Sequence, residues 1–132
     1  MLYLDTSALV KLIRREPESD SLVDWLATRE PTPWVSSALI EVELPRAIRR
    51  AEPSLLVDVP AMLARVSRYE VNEVVRAAAA AYPDPMLRSL HAIHLATART
   101  MFGADLTAFV AYDTRLLAAA AELGLSVIAP GR

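Results

Sequence analysis

Two stretches of the sequence share one pattern: LYLDTSAL at residues 2–9 and FVAYDTRLL at residues 109–117. In each, a short apolar run is followed by an aspartate, a threonine and a segment of helical character. A buried strand that leads directly into a helix accounts for both stretches. Asp5 and Asp113 are then expected at the carboxyl ends of two strands, each beside the beginning of a helix. Thr6 or Ser7 is predicted to cap the first of these helices.

The rest of the chain alternates in the same way, so one α/β domain with a largely parallel sheet is predicted over residues 1–132. Further strands are predicted at PTPWVSS (31–37), SRYEV (67–71) and SVIAP (126–130), and the strand before Asp113 at 106–112. Helices are predicted from Thr6 or Ser7 to about Arg15 and at 17–30, 37–50, 55–66, 72–82, 89–102 and 115–124. Because proline lacks a backbone donor, we expect a bend at Pro45 and a break at Pro60.

The composition is that of a globular protein. Hydrophobic residues make up 54% and charged residues 23% of the chain, which excludes a disordered polypeptide. No apolar run reaches the roughly 18–20 residues that span a bilayer, and the first residues carry no basic leader. Since there is no cysteine, disulfides and thiolate metal sites are excluded. We therefore expect a cytoplasmic protein without a membrane anchor.

The net charge of −2 argues against nucleic-acid binding through bulk charge alone. Thirteen of the fourteen basic residues are nevertheless arginine, whose forked donors suit phosphate groups. The arginines form clusters at Arg14 and Arg15, at Arg46, Arg49 and Arg50, and at Arg65 and Arg68. These clusters are either solvated helix faces or contacts for phosphates.

A third carboxylate, Glu43, lies in the apolar run IEVELPRAI at residues 40–48. Burying a carboxylate is costly unless it is paired or bound to a cation. Carboxylates at the carboxyl ends of neighbouring parallel strands meet at one edge of the sheet, where ligands of such folds bind. If Glu43 joins Asp5 and Asp113 there, a hard divalent cation such as Mg²⁺ or Mn²⁺ would relieve their mutual repulsion. The alternative for each aspartate is an ordinary helix cap.

Four segments together resemble the PIN-domain family, and more closely the VapC-type toxins of bacterial toxin–antitoxin pairs. They are YLDTSALVKL, the Glu-Leu pair at 43–44 followed by RAIRR, RSLHAIHLATA at 88–98, and FVAYDTRLLAAAAELGLSVIAP. The resemblance implies a three-layer α/β/α domain and a Mg²⁺- or Mn²⁺-dependent endoribonuclease. It also implies a homodimer that a cognate antitoxin silences.

Carried over by residue, the resemblance assigns Asp5, Glu43 and Asp113 as the acidic metal ligands and catalytic residues. His94 matches a histidine that the family often carries, so packing or hydrogen bonding is its expected role. His91 stands where the family usually has an acidic residue. It is therefore a metal ligand, a proton shuttle near neutral pH, or a lost ligand.

Two functions remain open from the sequence. The first is an active metal-dependent ribonuclease toxin, and the second is a weakly active or non-catalytic PIN-fold partner of an antitoxin, which His91 favours. A phosphatase of the haloacid-dehalogenase type is disfavoured, because its second aspartate would stand where Ser7 is found. The sequence names neither the RNA target nor the antitoxin.

Overall fold

Five short strands, all parallel, form the sheet at the centre of the computed structural model, which describes residues 1–132. In chain order they are β1 (Leu2–Leu4), β2 (Trp34–Ser37), β3 (Ser67–Tyr69), β4 (Ala108–Val110) and β5 (Val127–Ile128). Across the sheet the order is β3-β2-β1-β4-β5, so β1 is central and pairs with both β2 and β4. The predicted parallel sheet is confirmed.

Seven α-helices connect and cover the strands. They are α1 (Thr6–Ile13), α2 (Ser19–Ala27), α3 (Ile40–Ala51), α4 (Val59–Arg65), α5 (Glu73–Ala81), α6 (Ser89–Phe102) and α7 (Thr114–Glu122). Short 3₁₀ turns at Pro53–Asp58 and Gly103–Asp105 complete the chain. Every helix is too short or too polar to cross a lipid bilayer.

The central strand β1 separates two hydrophobic cores. Leu2 and Leu4 point into a core shared with buried residues of α1 to α4. Tyr3 points to the opposite face and packs with Leu95 of α6 and Leu116 of α7. Successive side chains of a strand alternate between the faces of the sheet, which explains this division. The expected three-layer α/β/α arrangement is therefore confirmed.

Several strands are shorter than predicted. The strand expected at 106–112 is limited to Ala108–Val110, and that expected at 126–130 is limited to Val127–Ile128. β4 pairs residue for residue with β1, which has only three residues because Asp5 already begins the turn into α1. A ladder extends no further than the shorter of its two strands, so the apolar residues on either side of β4 lie outside the ladder.

The prediction that Thr6 or Ser7 caps α1 is wrong. Asp5 is the cap: its backbone is extended, and its Oδ1 accepts a hydrogen bond from the Ala8 N–H at 3.1 Å. Thr6 is already the first helical residue, so its hydroxyl is free for another partner. Asp113 caps α7 in the same way, through the Leu116 N–H at 3.0 Å.

The two helix prolines behave differently. Pro45 lies inside α3, and the helix continues on both sides of it. Pro60 lies in the first turn of α4, where backbone N–H groups need no helical partner. The predicted break at Pro60 is thus the start of α4 after the 3₁₀ turn at Pro53–Asp58.

Candidate active site

The carboxyl ends of β1 and β4 place Asp5 and Asp113 at one edge of the sheet. Asp5 follows β1 directly, and its N–H donates to the Val110 carbonyl at 3.1 Å. Both aspartates are helix caps, as the plainer interpretation of the sequence expected. Each uses only Oδ1 for its cap, and Oδ2 makes no hydrogen bond in either residue. One oxygen of each carboxylate therefore remains available for a ligand.

Asp5 is the more deeply buried of the two, with 3% of its surface exposed. The Ser7 hydroxyl donates to Asp5 Oδ1 at 2.6 Å and accepts from the Tyr112 N–H at 3.2 Å, which ties the first turn of α1 to the segment after β4. Burial raises the pKa of Asp5 above its usual range, although His94, Ser7 and the Ala8 N–H act in the opposite direction. A charged Asp5 is therefore held at a cost in free energy.

Glu43 reaches the same edge from α3. Its Oε1 accepts hydrogen bonds from the Thr6 hydroxyl at 2.8 Å and from His94 Nε2 at 2.7 Å, whereas Oε2 makes none. Burial alone would raise the pKa of Glu43. The hydrogen bond and attraction of His94, together with Thr6, outweigh burial and hold that pKa below its usual range. Glu43 is thus a fixed, ionised carboxylate with one free oxygen.

His94 is buried beneath this carboxylate, with 1% of its surface exposed. Its Nδ1 lies 2.7 Å from the Tyr3 hydroxyl, and its Nε2 contacts Glu43. Burial raises the pKa of Tyr3 well above its usual range, so the phenol keeps its proton. If Tyr3 donates that proton to Nδ1, the hydrogen on neutral His94 is on Nε2 and points at Glu43. The expected hydrogen-bonding role of His94 is confirmed.

His91 lies on the rim of the site. Its Nδ1 is 3.9 Å from Asp113 Oδ1, and the two side chains are 25% and 43% exposed. His91 also lowers the pKa values of Asp5 and Glu43 by attraction, so it lies within electrostatic reach of both. The four residues singled out from the sequence therefore share one region, with Asp5 and Glu43 inside it and His91 and Asp113 at its edge.

As the side chains stand, no three acidic or histidine residues are close enough together to enclose a metal ion. The chemistry of the donors nevertheless suits one. Asp5, Glu43 and Asp113 each keep one carboxylate oxygen free, and oxygen donors are preferred by Mg²⁺ and Mn²⁺. A cation would also relieve the buried charge of Asp5. These residues thus fit a divalent metal in donor type.

Sequence reasoning missed the support that Tyr3 gives to this site, whereas the resemblance already implied that Thr6 or Ser7 holds the loop of Asp5. Tyr3 reads as one apolar member of a buried strand. A tyrosine in the middle of a central strand does signal a buried hydroxyl that needs a partner. Nothing in the pattern identifies that partner as His94, 91 positions away.

The fold and the site together define a class: a three-layer α/β/α domain with acidic residues at the carboxyl edge of a parallel sheet. The PIN domain matches this chain over residues 2–123, and the chain belongs to the PIN-domain family. It is 59% identical to "Ribonuclease VapC35" of Mycobacterium tuberculosis, over 100% of this chain and 98% of that protein. It is 44% identical to "Ribonuclease VapC46" of the same species, over 98% and 97% of the two chains. The sequence-based identification as a VapC-type member is confirmed.

A solved structure matches the fold. The crystal structure of Mycobacterium tuberculosis VapC20, described as a "Sarcin-Ricin loop cleaving toxin", superposes with a TM-score of 0.74. The match covers 90% of this chain and 95% of that one, with 16% sequence identity. At this identity the likeness concerns the fold alone.

Proposed function

We propose that this protein is a divalent-metal-dependent endoribonuclease, the toxin of a toxin–antitoxin pair. One observation carries the proposal: Asp5 and Glu43 are each fixed through one carboxylate oxygen by two donors, and each leaves its other oxygen free of hydrogen bonds. The PIN-domain match and the relatives called ribonucleases support the reaction class. We also propose that it acts in the cytoplasm on cellular RNA.

Asp5, Glu43 and Asp113 would hold the ion, which supplies an activated water and offsets charge on the scissile phosphate. The protein's own part is to keep these carboxylates in place and ionised. Ser7 and the Ala8 N–H fix Asp5, while Thr6 and His94 fix Glu43. Asp113 is half-exposed, and its Oδ2 would complete the set of oxygen ligands. One of the two aspartates would accept the proton that the activated water loses.

A cleavage assay on total cellular RNA tests this function. Wild type with Mg²⁺ or Mn²⁺ is expected to cut RNA, and Asp5→Asn is expected to be inactive, because the amide keeps the cap but loses the charge. Asp24→Asn is the matched control, since Asp24 lies exposed on α2. Equal cleavage by all three proteins would contradict the proposal.

A second candidate function is a weakly active or non-catalytic PIN-fold binding partner of an antitoxin. The observation that favours it is the proximity of His91 to Asp113, because a protonated imidazole would compete with a cation for that carboxylate. His91→Asp separates the two candidates. If the histidine is a lost ligand, the variant binds Mg²⁺ more tightly in a calorimetric titration and cleaves faster.

If His91 has its own role instead, restoring the acid brings no gain in Mg²⁺ affinity. The wild type then prefers Mn²⁺ over Mg²⁺, because an imidazole ligand suits the softer ion. Ser89→Asp, on the same first turn of α6, is the control for added negative charge.

The partners follow from the same site. An acidic pocket suits a basic side chain, so we propose that the antitoxin places an arginine at Asp5, Glu43 and Asp113. Glu43→Gln with Asp113→Asn should weaken antitoxin binding, and unchanged affinity would contradict this contact. We also propose a homodimer, which a monomer by light scattering at micromolar concentration would contradict.

A further inference from the structure

Two groups of arginines lie on either side of the acidic site. The first group lines a groove of about 490 Å³ that runs along α3 and includes Glu43. Its members are Arg46, Arg49 and Arg50, which are exposed and make no hydrogen bond or ion pair. Residues three and four positions apart on a helix are neighbours on its surface, so these guanidinium groups lie along one side of the groove.

The second group lines a pocket of about 320 Å³ on the other side of the site. Arg88 and Arg115 lie there with His91 and Asp113. Both arginines are exposed and have no ion pair within the chain. The pocket is predominantly polar in its lining and contains only one hydrophobic residue, Met86.

The groove and the pocket are neighbours. Leu90 lines the groove and His91, the next residue of α6, lines the pocket. Glu43 borders the groove and Asp113 borders the pocket, so each depression includes one residue of the acidic site. Along this surface the charge therefore alternates: basic on α3, acidic in the middle, and basic at Arg88 and Arg115.

The arginines that lack acidic partners here contrast with others in the chain. Arg15, Arg65 and Arg68 each lie within 4.0 Å of a carboxylate, and Arg14 and Arg132 do so as well. With a net charge of −2, the protein does not attract a polyanion as a whole. Unpaired arginines on both sides of an acidic centre would offset its repulsion of phosphates.

We propose that one single-stranded RNA segment crosses the acidic site from the α3 groove to the pocket of Arg88 and Arg115. Phosphates on one side of the scissile bond contact Arg46, Arg49 and Arg50, and those on the other side contact Arg88 and Arg115. The exposed side chains of Val42 and Leu90 offer the sugars or bases an apolar surface. A flexible strand can follow both depressions around the first turn of α6. This path rests on the proposed ribonuclease function.

The salt dependence of RNA binding tests the path. Each phosphate contact to a single strand contributes about 0.7 to the slope of log affinity against log salt. In an Asp5→Asn background, replacing Arg46, Arg49 and Arg50 with glutamine should lower that slope by about 2. Replacing Arg88 and Arg115 should lower it by about 1.4. The probe is a short single-stranded RNA oligonucleotide.

The control replaces Arg15, Arg76 and Arg99 with glutamine, which removes the same charge from other exposed positions. It should keep the slope of the Asp5→Asn parent, and thermal unfolding should show that all variants are folded. An unchanged slope in the α3 variant overturns the path. So does a variant that keeps RNA binding and loses only antitoxin binding, because the groove is then a protein interface. Binding with the expected slopes in a protein that does not cleave RNA supports the path and counts against the proposed function alone.

Discussion

At the scale of single residues, the site depends on a buried chain of hydrogen bonds from Tyr3 through His94 to Glu43. Glu43 receives a directed donor only if His94 keeps its Nε2 hydrogen towards the carboxylate. A hydrogen bond donated by the Tyr3 hydroxyl to Nδ1, 2.7 Å away, would fix this arrangement. Hydrogen bonds beneath a ligating carboxylate orient it and are costly to lose. Tyr3 and His94 are therefore positioning residues for Glu43.

Tyr3→Phe should weaken this chain while preserving the ring, which stacks on Phe109 with centroids 5.1 Å apart. Because Nδ1 loses its partner in a buried place, the free energy of unfolding should fall by about 1–2 kcal/mol. Urea denaturation measures it. Tyr82→Phe is the control, since the buried Tyr82 hydroxyl makes no hydrogen bond, and its stability should be unchanged or higher. Equal losses in both variants would contradict a specific role for Tyr3.

Asp5 predicts a pH dependence of stability. Burial raises the folded-state pKa of Asp5 above its unfolded value. The contribution of Asp5 to the free energy of unfolding is therefore fully present while the carboxyl is protonated, and it is lost as the pH rises through the raised pKa. Asp5→Asn lacks this loss, so its stability advantage over wild type should grow from acidic to neutral pH. Added Mg²⁺ should narrow the gap by stabilising wild type only.

Denaturation of both proteins across a pH series, with chelator and with Mg²⁺, is the measurement. If the free energy of unfolding changed with pH in the same way in wild type and Asp5→Asn, Asp5 would not carry a buried charge in the folded protein. If Mg²⁺ left the difference in stability between wild type and Asp5→Asn unchanged, metal binding at Asp5 would be contradicted.

The residues that carry charge could be predicted from the sequence, whereas their supports could not. Asp5 and Asp113 follow apolar strands, and Glu43 interrupts an apolar helix face, so local pattern is enough to select them. Tyr3, Thr6 and Ser7 act through partners that the pattern does not specify. Thr6 reaches Glu43 only because α1 and α3 pack on the same face of the sheet.

At the scale of elements, α3 carries both Glu43 and three arginines of the groove, with Pro45 between them. Pro45 has no N–H to donate to the Glu41 carbonyl, the acceptor one turn earlier. The helix nevertheless continues, because Ile40, Leu44 and Ile48 are buried against the sheet. Packing thus outweighs an unfavourable residue, which explains why local propensity alone does not set the course of α3.

Pro45→Ala should stabilise the protein by about 1–3 kcal/mol, since alanine restores the missing backbone bond in a helix interior. The shift of the urea midpoint measures it. Pro60→Ala is the control, because Pro60 lies in the first turn of α4 and its substitution should change stability little. A destabilised Pro45→Ala would contradict the view that this proline is only tolerated, and would indicate that the path of α3 depends on it.

Element boundaries show the same limit of sequence reasoning. The predicted helices at 72–82 and 89–102 agree with α5 and α6, because Asn72 caps α5 and Gly103 ends α6, and such caps are local signals. The sequence pattern predicts strands that are longer than those of the structure, because the neighbouring strand limits the length of a ladder. β4 ends where the three-residue β1 ends, and no local property of residues 111–112 encodes that.

At the scale of the whole molecule, the strand order brings together parts that are far apart in sequence. The central position of β1 puts Asp5 beside β4 and its Asp113, and α3 and α6 deliver Glu43 and the histidines from opposite faces of the sheet. The acidic site therefore lies where the two cores meet at the edge of the sheet. A site built from these charged side chains therefore forms only when the sheet and its helices are folded.

We propose above that these carboxylates hold a divalent ion that supports RNA cleavage. The most direct test is the cleavage rate of one RNA as a function of Mg²⁺ concentration, in wild type and Glu43→Gln. We expect no cleavage in chelator, a saturable rise with Mg²⁺ in wild type, and a half-maximal Mg²⁺ concentration at least about tenfold higher in Glu43→Gln. A rate that is independent of Mg²⁺, or the same Mg²⁺ dependence in both proteins, would contradict the claim.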